Sequence, residues 1–97
     1  MPNLIFGLSR PKAKFFLGQI MIAPNVLNAI PKDDVLDALS RHIRGDWGIQ
    51  DVSTSDANER ALEHGGCLFS MHYSTRGLKF QIITESGRSV TIIVLAE

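Results

Sequence analysis

Hydrophobic positions along this chain change their period from helical to extended about two thirds of the way through. From Asp33 to Arg44, Leu36, Leu39 and Ile43 recur at i, i+3 and i+7, with Val35 and Ala38 widening the stripe, so one face of a helix is apolar. Asp33 and Asp34 sit at its positive end, Arg41 and Arg44 at its negative end, and Gly45 supplies a left-handed stop. Asp37 and Arg41 are set for an i,i+4 ion pair with the acid first. A second helix is predicted from about Thr54 to His64, entered through a capping box formed by Ser53 and Asp56 and ended by Gly65 and Gly66. Its apolar face (Ala57, Ala61, Leu62) is thin. Before these, the apolar run of residues 17–23 reads as a strand ending at Pro24. A weak helix follows from Pro24 to Ile30, poorly capped by Ala23 and blocked by Pro31.

From Cys67 the period is two. Cys67, Phe69, Met71 and Tyr73 alternate with Leu68, Ser70 and His72, and after the turn at residues 74–77 Leu78, Phe80, Ile82 and Thr84 alternate with Lys79, Gln81, Ile83 and Glu85. Ser86 and Gly87 read as a two-residue hairpin loop before a β-branched run, Arg88 to Ala96. A four-residue first loop would set Tyr73 against Leu78 and Met71 against Phe80, and a two-residue second loop would set Glu85 against Arg88 and Ile82 against Thr91. The core face would then be Phe69, Met71, Tyr73, Leu78, Phe80, Ile82, Ile93 and Leu95. The other face would carry Ser70, His72, Lys79 and Gln81 beside Leu68, Ile83, Val90, Ile92 and Val94. That second face is too apolar to stay wet, so the N-terminal segment, a partner subunit or a ligand is expected to cover part of it. The expected fold is α+β, a three- to four-stranded antiparallel sheet with two to three helices packed on one face and the N-terminal strand at an edge. Residues 1–16 read as an N-terminal extension and residues 17–97 as one domain.

Composition narrows the classes. The chain has 97 residues, enough for one core, with 44% hydrophobic and 21% charged positions. Ten basic and ten acidic residues cancel, which removes any global pull toward nucleic acid or anionic membrane. Cys67 is the only cysteine, so an intrachain disulfide and a cysteine-based zinc site are excluded. No apolar run approaches the roughly 20 residues of a membrane helix. Near the start, apolar residues precede Arg10, Lys12 and Lys14, the reverse of a secretory signal. The expected setting is cytoplasmic.

Chemistry concentrates in Arg41-His42-Ile43-Arg44-Gly45-Asp46-Trp47-Gly48, a helix end and the loop behind it, where binding groups tend to sit. Each residue also has a structural reading. His42 could be a partly buried histidine whose charged form the helix dipole favours. Trp47 could be a lid over the core, and Asp46 could turn back on local amides. In the functional reading Arg41 and Arg44 hold an anion while His42 and Asp46 act as an acid–base pair. Thr84, Glu85 and Arg88 flank the last hairpin, either as an exposed ion pair or as neighbours of that site, with Glu85 a third catalytic candidate. His42, His64 and His72 match no metal-ligand spacing, and there is no phosphate loop, nucleophile elbow or paired-cysteine motif. No metal and no cofactor are expected.

Arg41-His42-x-Arg44-Gly45-Asp46-Trp47-Gly48, then Asn58-x-x-Ala61-Leu62-x-x-Gly65, Leu68-x-Ser70, and Ile82-Ile83-Thr84-Glu85-x-x-Arg88-Ser89-x-Thr91 resemble a family of small bacterial proteins found on plasmids and integrated elements. Its members are labelled plasmid-related or named for a type I restriction–modification subunit. The resemblance spans roughly residues 17 to 95 and departs from the family pattern at Ala23, Cys67, Gln81 and Gly87. A methyltransferase subunit would need a cofactor-binding domain several times larger. The incomplete chemistry and small size, taken with this resemblance, lead to the expectation of a small non-catalytic binding or regulatory protein of mobile-element type, with an unknown protein or nucleic-acid partner. Its binding residues would be Arg41, His42, Arg44, Asp46, Trp47, Thr84, Glu85 and Arg88. The competing expectation is a small hydrolase or nuclease using His42 beside an arginine-lined anion site. A third expectation is a homodimer through the second sheet face.

Overall fold

The computed structural model of the chain describes residues 13–96. The elements in chain order are β1 (Gln19–Ile22), α1 (Pro24–Ala29), α2 (Lys32–Ile43), α3 (Val52–His64), β2 (Leu68–Tyr73), β3 (Lys79–Thr84) and β4 (Val90–Leu95). The strands form one sheet in the order β1-β4-β3-β2. The fold is α+β, with an edge strand at each end of the sheet. Only the pairing of β1 with β4 departs from the expected antiparallel sheet, because these two strands run parallel. Parallel neighbours need a long crossover, and here three helices and two strands separate them in sequence.

Local signals explain most helix ends. The α2 stop is a Schellman turn: Asp46 N–H donates to the Arg41 carbonyl at 2.9 Å and Gly45 N–H to the His42 carbonyl at 3.1 Å, with Gly45 at φ +82°. The α3 cap lies elsewhere than expected. Asp51 accepts from Thr54 N–H at 2.7 Å, and Ser53 is already inside the helix. A carboxylate one residue before the first helical position wins over the Ser53 hydroxyl because it is charged and meets the exposed amides first. Arg41 also changes partner, pairing with Asp46 at 2.8 Å rather than with Asp37, because the Schellman turn folds Asp46 back onto the last helical turn.

Strand register overturns the expected division of faces. Between β2 and β3, His72 stands opposite Phe80, Ser70 opposite Ile82 and Leu68 opposite Thr84, a shift of one residue from the expected pairing. The Ser74 hydroxyl oxygen accepts from Arg76 N–H at 3.1 Å and Leu78 N–H at 3.2 Å, which builds a five-residue loop instead of four. A slip of one residue flips a strand. Leu68, Ser70 and His72 therefore face the helices, while Phe69, Met71 and Tyr73 face outward. Between β3 and β4, Ile82 pairs with Ile93 and Thr84 with Thr91, a shift of two, so those side chains keep their expected faces.

The layer between sheet and helices has two compositions. Toward β1 it is apolar: Val26, Ile30, Val35, Ala38 and Leu39 pack on Phe80, Ile82 and Ile93. Toward β2 it mixes a smaller cluster, Trp47, Ala61 and Leu68, with buried His42, Asn58, Ser70, His72, Thr84 and Thr91. Arg10 and Lys12 of the basic arm lie outside the described residues. Lys14 and Phe15, from the stretch read as an extension, are anchored on the domain: Lys14 N–H donates to the Ile43 carbonyl at 2.7 Å, and the Phe15 ring stacks on Trp47.

Candidate functional site

His42 projects from the last turn of α2 onto the sheet, and no part of it reaches solvent. Its Nδ1 lies 2.7 Å from Ser70 Oγ on β2 and its Nε2 2.9 Å from Thr84 Oγ1 on β3. Thr84 Oγ1 is 2.7 Å from Thr91 Oγ1 on β4, and Thr91 donates to the Leu17 carbonyl at 2.7 Å. On the other side, Ser70 Oγ is 3.2 Å from His72 Nε2. Five buried side chains thus form one chain of hydrogen bonds across three strands.

The direction of this chain follows from its far end. A carbonyl oxygen can only accept, and a hydroxyl carries a single proton. Thr91 gives its proton to Leu17, so it must accept from Thr84. Thr84 must then accept from His42 Nε2–H. A neutral His42 protonated there has a bare Nδ1, which accepts the Ser70 proton, and Ser70 in turn accepts from His72 Nε2–H. Both imidazoles are thereby assigned the same tautomer, and His72 Nδ1 is left as a bare acceptor. That atom is buried and has no partner among the described residues. Gly48, at φ +70°, lies over it: a Cβ there would collide with the Met71 carbonyl oxygen and stand 2.8 Å from His72 Nδ1.

Electrostatics agree with neutral rings. Burial, reinforced by His72, lowers the His42 pKa to about 4, and burial, reinforced by Arg41, lowers that of His72 to about 4. Desolvation outweighs the helix dipole, so His42 is a neutral core residue instead of the partly buried cation the sequence suggested.

The remaining expected site residues are placed as follows. Arg41 and Asp46 form an ion pair, which raises the arginine's pKa and lowers the carboxylate's, and Asp46 also accepts from Gly48 N–H at 3.1 Å. The pair is 37% and 47% exposed, so its net contribution is at most ~1 kcal/mol. Arg44 donates to Ser40 Oγ at 2.5 Å. Trp47 is buried, its ring set edge-on to His42 at 5.6 Å and its Nε1–H donating to Glu59 at 2.9 Å. Arg88 is not paired with the Glu85 carboxylate as an exposed cross-strand ion pair. It donates instead to the carbonyls of Gly66 at 2.6 Å, Ala61 at 3.0 Å and Glu85 at 3.1 Å, tying the end of α3 to the last hairpin, with Phe15 beneath its guanidinium. The structure therefore joins His42 to Thr84, and Trp47 through Phe15 to Arg88, but both meetings are internal. Glu85 is exposed and has no side-chain hydrogen bond or ion pair among the described residues.

Sequence reasoning assigned no site role to Ser70, His72, Thr91 or Asn58. Thr84 and Thr91 carried a usable signal, since both are polar residues at the same parity as buried Ile82 and Ile93. Asn58 closes the outer edge of β2: its side chain donates to the Phe69 carbonyl at 2.7 Å and accepts from Phe69 N–H at 3.0 Å. Met71 is closed on the same edge by Trp47 and Ile49, whose backbones bond it at 3.1 and 2.7 Å. Among the described residues no group of three His, Cys, Asp or Glu side chains could hold a metal ion, and no helix is long and apolar enough to cross a membrane. Fold and site together define a small α+β domain with an interior that is apolar toward β1 and polar toward β2, and an apolar sheet face uncovered among the described residues. Compared with known proteins, the chain matches no family model, no curated sequence and no solved structure.

Proposed function

We infer that the chain is a small non-catalytic binding protein, of the regulatory kind carried by plasmids and other mobile elements, and that it works as a homodimer through its uncovered sheet face. One observation carries the reading: His42, the base a hydrolase would use, points inward and is used up. His42 has both ring nitrogens engaged and no exposed surface, whereas a hydrolase or nuclease needs its base within reach of a substrate proton. The mobile-element assignment rests on the resemblance of the sequence blocks. A protein partner is favoured over nucleic acid because the chain has no net charge and Arg41 and Arg88 are committed to partners within the domain. A cytoplasmic setting fits the free, exposed Cys67.

The dimer surface is the face that no described helix covers. It carries Met21, Phe69, Met71, Ile83, Ile92 and Val94, and among its described strand residues Lys79 is the only charged one. Three strands of six residues and one of four, spaced ~4.8 Å with a rise of ~3.3 Å per residue, give about 350 Å² in projection before side-chain relief is added. Two such faces give about 700 Å² in projection, and side-chain relief has to supply the rest of the ~1,200 Å² at which stable interfaces begin. A mostly apolar face suits an identical copy, since its one charge, Lys79, pairs with Tyr73 at the end of β2 and β3 and not at the centre. Light scattering is expected to give twice the monomer mass for the natural protein and the monomer mass for Ile92→Lys with unchanged circular dichroism. Turnover of phosphodiester or ester substrates that disappears in His42→Gln would overturn the non-catalytic reading, and a monomeric natural protein would overturn the dimer.

A further inference from the structure

The outer edge of β1, unpaired among the described residues, lies beside an apolar groove. In the parallel pairing with β4, Gln19 N–H donates to the Ser89 carbonyl at 2.9 Å and Ala23 N–H to the Ile93 carbonyl at 3.0 Å. Backbone groups alternate sides along a strand, so the amides and carbonyls of Ile20 and Ile22 point away from the sheet. Among the described residues nothing pairs with them. The side chains of the same two residues line an apolar cavity of about 320 Å³ between β1, α1 and α2, whose further lining includes Leu27, Leu36 and Leu39, with Lys32 the one charged residue. Leu27 and Leu36 are 65% and 53% exposed and Ile20 is 42% exposed. These are large apolar side chains standing around a hollow.

We propose that β1 accepts an extended peptide of a partner protein as a fifth strand, with two apolar side chains of that peptide, spaced i and i+2, entering the groove. The spacing follows from the geometry. In an antiparallel ladder, one peptide residue opposite Ile20 and another opposite Ile22 exchange both hydrogen bonds with them. Directly opposed residues share a face, so those two side chains join Ile20 and Ile22 on the helix side while the residue between them points to the open face. Added strands bind in this way, with backbone bonds supplying affinity and alternate pockets supplying specificity. The cavity lies at the small end of ligand sites, which suits two branched side chains. Lys32 favours a peptide with a carboxylate flanking the pair. A second copy of β1 fits less well, because its own Ile20 and Ile22 already line its own groove. The inference rests on the binding-protein reading but uses a different surface from the dimer.

The test uses the full chain, labelled with ¹⁵N, and a blocked synthetic peptide, Ser-Glu-Val-Thr-Leu-Ser. Binding is expected to shift the amide resonances of Ile20, Ile22 and Leu36 and to slow hydrogen exchange at Ile20 and Ile22. Leu36→Lys should weaken binding at least tenfold without altering the remaining spectrum. A peptide N-methylated at Val and Leu should lose it. The proposal is overturned if the peptide shifts no resonance at millimolar concentration or shifts only the open face. Slow exchange at Ile20 and Ile22 in the free chain would equally overturn it, giving the edge to a second copy if it grows with concentration and to the chain's own segment if it does not. Failure of the peptide in a protein that still dimerises removes this site alone. Turnover dependent on His42 removes the binding-protein reading and leaves the groove.

Discussion

The two edges of the sheet are finished in opposite ways. At β2 the outward backbone groups of Phe69 and Met71 are bonded by Asn58, Trp47 and Ile49, and the layer behind them is a polar network sealed from water. At β1 the outward groups of Ile20 and Ile22 are unpaired among the described residues, and the layer behind them is apolar and hollow. An exposed strand edge is a template for pairing with another chain, and proteins usually blunt or cover it. This protein covers one edge with two pieces of chain, the loop at residues 47–49 and Asn58 of α3, and leaves the other, four residues long, bare among the described residues. The closed end therefore reads as scaffold and the open end as a place where a partner can add.

The contrast can be broken most directly at His42. His42→Ala removes a large buried ring and strands the Ser70 and Thr84 hydroxyls, and is expected to cost about 4 kcal/mol in denaturant unfolding. A loss below about 1 kcal/mol would mean that the network is solvated and the closed end is not closed. Next comes pH. Both histidines bind a proton less readily folded than unfolded, so their stabilising effect is complete above about pH 6.5 and is lost as pH falls toward 4. For His42 alone the shift from 6.5 to about 4 is worth roughly 3 kcal/mol. Urea midpoints that stay flat between pH 7 and 4.5 would contradict the buried, neutral assignment. Third, Asn58→Ala frees the Phe69 amide and carbonyl on the β2 edge and should cost about 2 kcal/mol, with faster hydrogen exchange confined to Phe69 and its neighbours. The smallest effect belongs to the open end. Leu36→Gln keeps a good helix former at a half-exposed position and should leave stability within about 0.5 kcal/mol. A larger loss would mean that Leu36 is part of the core and that its groove is filled.

Helix α2 was legible from residue order because each of its signals is local. The apolar stripe, the acidic start and the Gly45 stop all lie within one span of chain, and they agree. Strands β3 and β4 were legible as a hairpin because their inward parity survives a shift of two residues. The pairing of β2 was not. Whether four or five residues make its turn depends on the Ser74 hydroxyl capturing two amides, and one extra residue exchanges Phe69, Met71 and Tyr73 for Leu68, Ser70 and His72 on the inner face. The candidate site suffered the same reversal. Arg41, His42 and Trp47 were recognised as a cluster, but their surroundings come from Phe15, Ser70, Thr84 and Glu59, contacts that sequence spacing does not reveal.

What residue order determined by itself is therefore the set of elements, the inward parity of β3 and β4 and the class of fold. These depend on period, caps and turn residues acting over a few positions. Only the tertiary structure decided which face β2 presents, that His42 is neutral and enclosed, and that one sheet edge is bonded while the other stands free among the described residues. Those outcomes depend on hydrogen bonds between residues dozens of positions apart, and on desolvation, which acts on a side chain only once its neighbours have excluded water.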